Sequence, residues 1–341
     1  MVPIDDGSDW QLRSYVWYIE QMHRDETLYR SCTLCPRNCG IDRTAGQAGF
    51  CGQSHELNLA YAGLHFGEEP PISGQRGSGT VFFAGCTLKC WSCQNCQISH
   101  RGMGRLVAPE TLSRIFLRLE EERAANINLV SASPFTPGIL EALDASKTDG
   151  FSLPVVWNTS GYESRKTLNL LDAYVDIYLT DLKTLDSSLS RRLFAAADYP
   201  EIAQEGVLHM AQEKRNELRA GNMLRGVILR HLVLPGMLES TREVLIWFKE
   251  NLYGRVLLSL MFQYTPVAAQ EDKPDVSGIP VRRVSEKEYE VVTGWLEELE
   301  IEEGYVQEWE TDSTWLPDFS KSNPFSTDLS RPVWHHAAGF I

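Results

Sequence analysis

The stretch Thr-Val-Phe-Phe-Ala-Gly-Cys-Thr-Leu-Lys-Cys-Trp-Ser-Cys (80–93) decides how this chain is read. Its first half is an apolar run of strand length, ended by a glycine. Its second half places Cys86, Cys90 and Cys93 on one loop at C-x3-C-x2-C spacing. Thiolate sulfur is a soft ligand suited to iron–sulfur clusters or zinc. A cubane four-iron cluster normally takes four thiolates, so three leave one iron open to a substrate or cofactor. Cys96 keeps a second reading open. As a fourth ligand it would close the site and make it an electron-transfer or structural centre. Taken alone it reads as a small buried thiol.

Outward from this loop, strand-like and helix-like runs alternate. Strands are predicted at 80–84, 127–131, 153–157, 175–179, 227–234 and 256–261. Helices are predicted at 109–122, 137–147, 163–172, 199–220 and 240–252, and a last one at 286–301. Ser240 with Glu243, and Ser285 with Glu288, have the spacing of capping boxes. Six strand–helix repeats imply parallel strands with right-handed crossovers, in an open doubly wound sheet or a curved partial barrel. Either way, ligands gather at the carboxyl ends of the strands, where the three-cysteine loop lies. The fold class is α/β.

Three regions are expected. Residues 1–78 hold an N-terminal helix and a small cysteine-rich metal-binding module. The helix is predicted over 9–29, with Leu12, Tyr15, Val16, Ile19 and Met22 on one face. The run Gly-Glu-Glu-Pro-Pro-Ile-Ser-Gly (67–74) marks 57–78 as a connection without regular structure. Glu68 and Glu69 read as a solvated turn, or as a carboxylate reaching a cavity. Residues 79–302 form the barrel. Residues 303–341 supply a strand near 305–309 and an aromatic tail with Trp309, Trp315, Phe319 and Trp334.

Composition narrows the function. All eight cysteines fall between Cys32 and Cys96, a clustering that favours metal ligation in a reducing cytosol over a disulfide framework. The N-terminus shows no secretory pattern. No apolar run reaches roughly 18 residues, so no membrane span is expected. The net charge of −14 argues against nucleic acid, which needs a basic surface. The expected location is cytoplasmic. A second group, Cys32-x2-Cys35-x3-Cys39-x11-Cys51, offers four thiolates and no spare position. It would hold structural zinc or a second [4Fe–4S] cluster.

Further stretches match a family in order. They are Cys-Thr-Leu-Cys-Pro-Arg-Asn-Cys (32–39), His-Phe-Gly-Glu-Glu-Pro-Pro-Ile-Ser-Gly (65–74), Asn-Thr-Ser-Gly-Tyr-Glu (158–163), Tyr-Leu-Thr-Asp-Leu-Lys (178–183), Arg-His-Leu-Val-Leu-Pro-Gly (230–236) and Gln-Tyr-Thr-Pro (263–266). With the C-x3-C-x2-C loop, this set resembles the radical S-adenosylmethionine (SAM) enzymes. Within them it resembles a group of iron–sulfur proteins related to the pyruvate formate-lyase activating enzyme. The resemblance implies a partial (β/α)6 barrel and a [4Fe–4S] cluster on Cys86, Cys90 and Cys93. It implies SAM on the open iron, cleaved reductively to a 5′-deoxyadenosyl radical that abstracts hydrogen.

The resemblance also gives the remaining residues their roles. Ser131, Ser133, Asn158, Ser160, Asp181, Lys183, Arg230 and His231 become candidates to contact SAM. No residue is assigned a catalytic role. Lys183 would neutralise the methionyl carboxylate, and Asp181 would bind a hydroxyl or orient the lysine. Two positions depart from similar enzymes. Ser92 stands where an aromatic residue usually packs on adenine, with Trp91 one place earlier. The run Ser131–Phe135 lacks the carboxylate that usually holds the methionyl amine. The substrate would be a protein glycine, a peptide or a small molecule, and the electron donor a low-potential protein such as flavodoxin or ferredoxin. The alternative is a non-catalytic iron–sulfur or zinc protein for electron transfer or scaffolding.

Overall fold

A computed structural model describes residues 27–267, 278–309 and 316–341. Of the N-terminal helix expected over 9–29, only the turn Thr27–Arg30 falls within them; Trp315 also lies outside.

One mixed sheet organises the described residues. Its parallel strands are β2 (Ser78–Phe83), β4 (Ile127–Val130), β5 (Val155–Thr159), β6 (Ile177–Asp181), β8 (Asn222–Leu232), β9 (Leu257–Met261) and β10 (Gly304–Val306), where β3 (Arg105–Val107) and β7 (Glu217–Arg219) are short antiparallel additions. The parallel strands stand side by side in chain order. A doubly wound sheet reverses its order partway. The unbroken order, with no pairing between its first and last parallel strands among the described residues, is that of a partial barrel.

Amphipathic helices cover the sheet. The helix Pro109–Glu121 buries Leu112, Ile115, Phe116 and Leu119 at helical spacing. Thr136–Thr148 packs beside it with Ile139, Leu140 and Leu143 inward. The capping box at Ser285 and Glu288 forms and opens the helix Glu286–Glu298.

Four expectations are corrected. The stretch 57–78 contains the strand β1 (Leu57–His65), which pairs antiparallel with β2. Its apolar sequence Leu-Asn-Leu-Ala-Tyr-Ala-Gly-Leu-His outweighs the Pro/Gly run that follows it. A register shift between Leu59 and Tyr61 lets Leu57, Leu59, Ala62 and Leu64 share the main core, while Ala60 and Tyr61 join an aromatic cluster with Phe82 and Phe319. Residues beyond 303 are also more regular than expected: β11 (Ser330–His335) pairs with β1, and β12 (Gly339–Phe340) pairs with β11. The sheet thus draws strands from both sides of 79–302.

The helix predicted over 199–220 ends at Glu213. Beyond it, Ala220 and Gly221 both take positive φ, and the chain turns back in a two-residue hairpin between β7 and β8. At the helix Leu238–Asn251, Met237 is the cap and makes no side-chain bond. Ser240 instead bonds the hydroxyl of Thr184 at 2.8 Å, so no capping box forms there.

Candidate functional site

The carboxyl ends of the parallel strands surround a cavity of ≈ 270 Å³. Cys90, Ser92 and Cys93 enter it from the loop after β2, Asn158 from β5, Asp181 and Lys183 from the end of β6, and Arg230 from β8. Glu68 reaches it from the loop after β1, and Gln263 follows β9. Of the stretches that carry the resemblance, those following β1, β2, β5, β6, β8 and β9 converge here because each lies at the end of a strand; the stretch 32–39 does not reach the cavity.

The polar floor is a connected ion-pair network. Asp181 accepts from Arg230 Nε at 2.8 Å and from Lys183 Nζ at 2.6 Å. Arg230 Nη2 donates to Asn158 Oδ1 at 2.6 Å, and its Nη1 stands 3.7 Å from Glu68 Oε2. Glu68 also accepts from Asn128 Nδ2 at 3.1 Å. Burial alone would raise the Asp181 carboxyl, but the adjacent Arg230 and Lys183 hold it below its usual range. Burial raises Glu68 and Glu69, against the pull of Arg230. Tyr199 braces the floor from beneath. Its hydroxyl donates to the carbonyl of Ser160 at 2.9 Å and accepts from the Lys183 N–H at 2.9 Å.

The thiols stand against this floor. Burial pushes the Cys93 thiol up to about 11, and pushes Cys90 further. Lys183 opposes the rise at Cys90, while ionised Cys86 and Cys93 would add to it. Ser99 Oγ donates to Cys93 Sγ at 3.2 Å, and the Leu88 N–H to Cys86 Sγ at 3.4 Å. Half-buried thiols that repel one another when ionised, two of them with donors on their sulfurs, are a donor set that fits a cationic cluster. Among the described residues no three or more His, Cys, Asp or Glu side chains form a ready shell for a single ion. Cys96 heads the short helix Cys96–Ser99 and does not line the cavity.

The structure therefore gathers Cys90, Cys93, Asn158, Asp181, Lys183 and Arg230 around one cavity. It does not bring Cys86, Ser131, Ser133, Ser160 or His231 to its wall. Arg230 and His231 are consecutive on β8, so their side chains leave on opposite faces. His231 bonds the Leu182 carbonyl at 2.7 Å and Thr241 Oγ1 at 3.0 Å; burial lowers its pKa to about 4. It is a neutral core histidine. Ser160 lies one residue beyond β5 and offers its carbonyl to Tyr199. Ser131 takes φ 58° and donates its N–H to the Asn158 carbonyl at 3.2 Å.

Of the two readings of Glu68 and Glu69, the carboxylate reaching a cavity holds for Glu68, which lines it, and Glu69 Oε1 accepts from Ser259 Oγ at 2.9 Å. The pairing of β1 with β2 carries them inward. A carboxylate does stand beside the run Ser131–Phe135, supplied by Glu163 from the next strand's loop, with Ser133 Oγ donating to it at 2.7 Å. Apolar wall comes from Leu193 and Phe194 rather than from Trp91, which does not line the cavity. A further wall, Pro317, Phe325 and Leu329, comes from the residues after 316, and Phe325 stacks on His65 with ring centres 4.6 Å apart.

Comparison with known proteins agrees with this geometry. Residues 72–191 match the family model of a 4Fe-4S single cluster domain. The match spans Cys86, Cys90 and Cys93 and leaves out Cys32–Cys51. An uncharacterised protein of Methanocaldococcus jannaschii is 29% identical over 272 residues, 78% of this chain and 74% of that protein. Among solved structures, Streptococcus suis SuiB bound to precursor peptide SuiA aligns at 13% identity and a TM-score of 0.45, covering 66% of this chain and 47% of SuiB. This chain thus spans about half the length of that protein. A domain of pyruvate-formate lyase-activating enzyme from Bacteroides vulgatus aligns at 10% identity and a TM-score of 0.36, over 51% of this chain and 91% of that domain. A radical SAM methyltransferase from Sphaerobacter thermophilus aligns at 15% and 0.42, over 67% and 65%. The matched model and the three-thiol loop are consistent with the resemblance to the radical SAM superfamily.

Proposed function

We propose that the protein is a radical SAM enzyme, holding a [4Fe–4S] cluster on Cys86, Cys90 and Cys93 and SAM on the polar floor beside it. One observation carries the reading: Cys90 and Cys93 of the three-thiol loop and the Asn158–Asp181–Lys183–Arg230 network line the same cavity. When bound, the pair would supply a 5′-deoxyadenosyl radical for hydrogen abstraction.

The chain's own residues would bind and orient. Lys183 spends one donor on Asp181 and has others free for the methionyl carboxylate. Asp181 holds Lys183 and Arg230 in fixed positions, which pre-organises the floor. Asn158 keeps its amide N–H groups for the ligand, because its carbonyl oxygen is taken by Arg230. Leu193 and Phe194 offer apolar surface for an adenine ring. The wall formed by Pro317, Phe325 and Leu329 excludes water from that side, and a low-polarity site protects a reactive radical from side reactions.

The substrate is proposed to be a peptide, a protein glycine or a small molecule. The peptide reading draws support from the peptide bound to SuiB. The electron would come from a low-potential donor of the flavodoxin or ferredoxin kind. No helix among the described residues is long and apolar enough to cross a membrane. Anaerobic reconstitution, reduction and addition of SAM test the function. The expected product is 5′-deoxyadenosine, with methionine; an intact cluster preparation that yields neither contradicts the proposal.

A further inference from the structure

The run His-Phe-Gly-Glu-Glu-Pro-Pro-Ile-Ser-Gly (65–74) enters the barrel from the amino end of β2, where His65 pairs with Ser78. Ile72 is fully buried and forms an apolar plug with Val156, Ile177 and Leu179. The plug is pinned by hydrogen bonds. Asn126 Nδ2 donates to the Ile72 carbonyl at 2.7 Å, and Ser73 Oγ accepts from the Glu68 N–H at 3.0 Å. Glu68 is thereby held below the rim. Its partner Asn128 stands two residues before the end of β4, one inward-facing layer down. The cavity therefore has two ends. Cys90 and Cys93 line its mouth, and His65, Phe325 and Leu329 line its deep end. Phe325 also packs on Phe82, with ring centres 5.5 Å apart.

Glu68 is a carboxylate without a cation of its own. Its side chain is only 10% exposed. Oε1 accepts from Asn128, but among the described residues nothing donates a hydrogen bond to Oε2; Arg230 Nη1 stands off at 3.7 Å. Arg230 directs Nε to Asp181 and Nη2 to Asn158, and it is also the cation beside Glu69. Two carboxylates thus share one guanidinium whose hydrogen bonds go elsewhere. Burial disfavours a charge on either, and a ligand that brings a cation would restore it. His65 adds a second acceptor without a donor: it is 8% exposed and its Nδ1 makes no hydrogen bond. Burial lowers its pKa to about 4, so the ring is neutral and repels no cation.

We propose that the deep end of the cavity binds the substrate, which presents a protonated amine to Glu68 and an apolar group to Phe82, Phe325 and Leu329. The inference rests on the function proposed above, because it places this substrate beside SAM. An anion would meet the two carboxylates, and a neutral apolar ligand would leave Glu68 Oε2 unpaired. Aromatic faces beside the carboxylate favour a cation further. The amine of SAM is the competing occupant. Lys183, assigned to the methionyl carboxylate, lies two residues beyond the end of β6, whereas Asn128 lies two short of the end of β4. The methionyl group therefore sits at the rim, above the level of Glu68.

The test is calorimetry on the full chain, reconstituted anaerobically, with 2-phenylethylamine, 2-phenylethanol and 3-phenylpropionate as matched probes. With SAM bound, the amine should bind about tenfold more tightly than the alcohol, the increment of one charge-assisted hydrogen bond, and the propionate most weakly. Glu68→Gln should erase the amine's lead over the alcohol. Phe325→Ala should weaken both and keep that lead. The proposal is overturned if the propionate matches the amine, if the lead survives Glu68→Gln, if the amine and SAM displace one another, or if no probe binds. Should Glu68→Gln fail to fold, the wild-type order of affinities and the competition with SAM decide. A chain that keeps the amine preference yet forms no 5′-deoxyadenosine rejects the function proposed above and leaves the amine pocket standing. One that forms 5′-deoxyadenosine without the preference rejects the pocket alone.

Discussion

Asp181 is the residue on which the floor balances. It neutralises Lys183 and Arg230 within 2.8 Å, and all three side chains are half-buried. Asp181→Asn removes the charge that holds Lys183 and leaves Arg230 only Glu68 at 3.7 Å and Asn158. Losing charged hydrogen bonds at a half-buried site costs about 1.5–3 kcal/mol, read as a lower urea midpoint at unchanged slope. SAM binding, followed by calorimetry, should weaken in the same variant. His231 tests its assignment as a core residue through pH. Its folded pKa lies near 4, below the unfolded value of about 6.5. The unfolded chain therefore binds more protons in that window, and stability falls as pH drops from about 6.5 towards 4. By pH 5 the loss from this ring is on the order of 2 kcal/mol. The buried carboxylates Glu68, Glu69 and Glu163 are raised and act in the opposite sense. The measurement is thus the stability gap between wild type and His231→Asn, which should narrow between pH 7 and 5. A gap independent of pH would return His231 to solvent or to the ligand.

Among the elements, β1 and the two expected capping boxes show where local sequence stops being sufficient. Ser285–Glu288 and Ser240–Glu243 carry the same signature, yet only the first forms. The helix after Gly236 starts earlier than the box requires, and Ser240 finds Thr184 across the fold. Ser285→Ala should cost about 1 kcal/mol, whereas Ser240→Ala should leave helix Leu238–Asn251 capped as before; denaturant melts of both variants make the comparison. Six of the seven parallel strands were legible because each is an apolar run between helical patterns. β1 was hidden by the proline and glycine that follow it, and β11 by a partner more than 260 residues away in sequence. Leu59→Ala, at a fully buried position of β1, should cost about 2–5 kcal/mol in chemical unfolding. A cost under 1 kcal/mol would mean that β1 is not integral to the core.

At the scale of the whole molecule, chain order and cavity chemistry agree. Parallel strands laid down in sequence bring every strand-end motif to one rim, so Cys90, Asn158, Asp181 and Arg230 meet although 140 residues separate the first from the last. That convergence was readable from spacing and repeats. The direction of a side chain at a strand end was not: Arg230 turns inward and His231 outward on the strength of one residue of register. Glu163 was equally hidden, because its burial depends on neighbours from other strands. The central claim is that three sulfurs hold a cluster with one corner free for a sulfonium ligand. Its most direct measurement is the paramagnetic spectrum of the reduced chain with and without SAM, in wild type and in Cys86→Ala. The expected result is a signal that SAM shifts in wild type and that Cys86→Ala lacks, with 5′-deoxyadenosine formed only where the shift occurs. A wild-type spectrum indifferent to SAM, or a cluster at Cys86, Cys90 and Cys93 that also takes Cys96 as ligand, would contradict it.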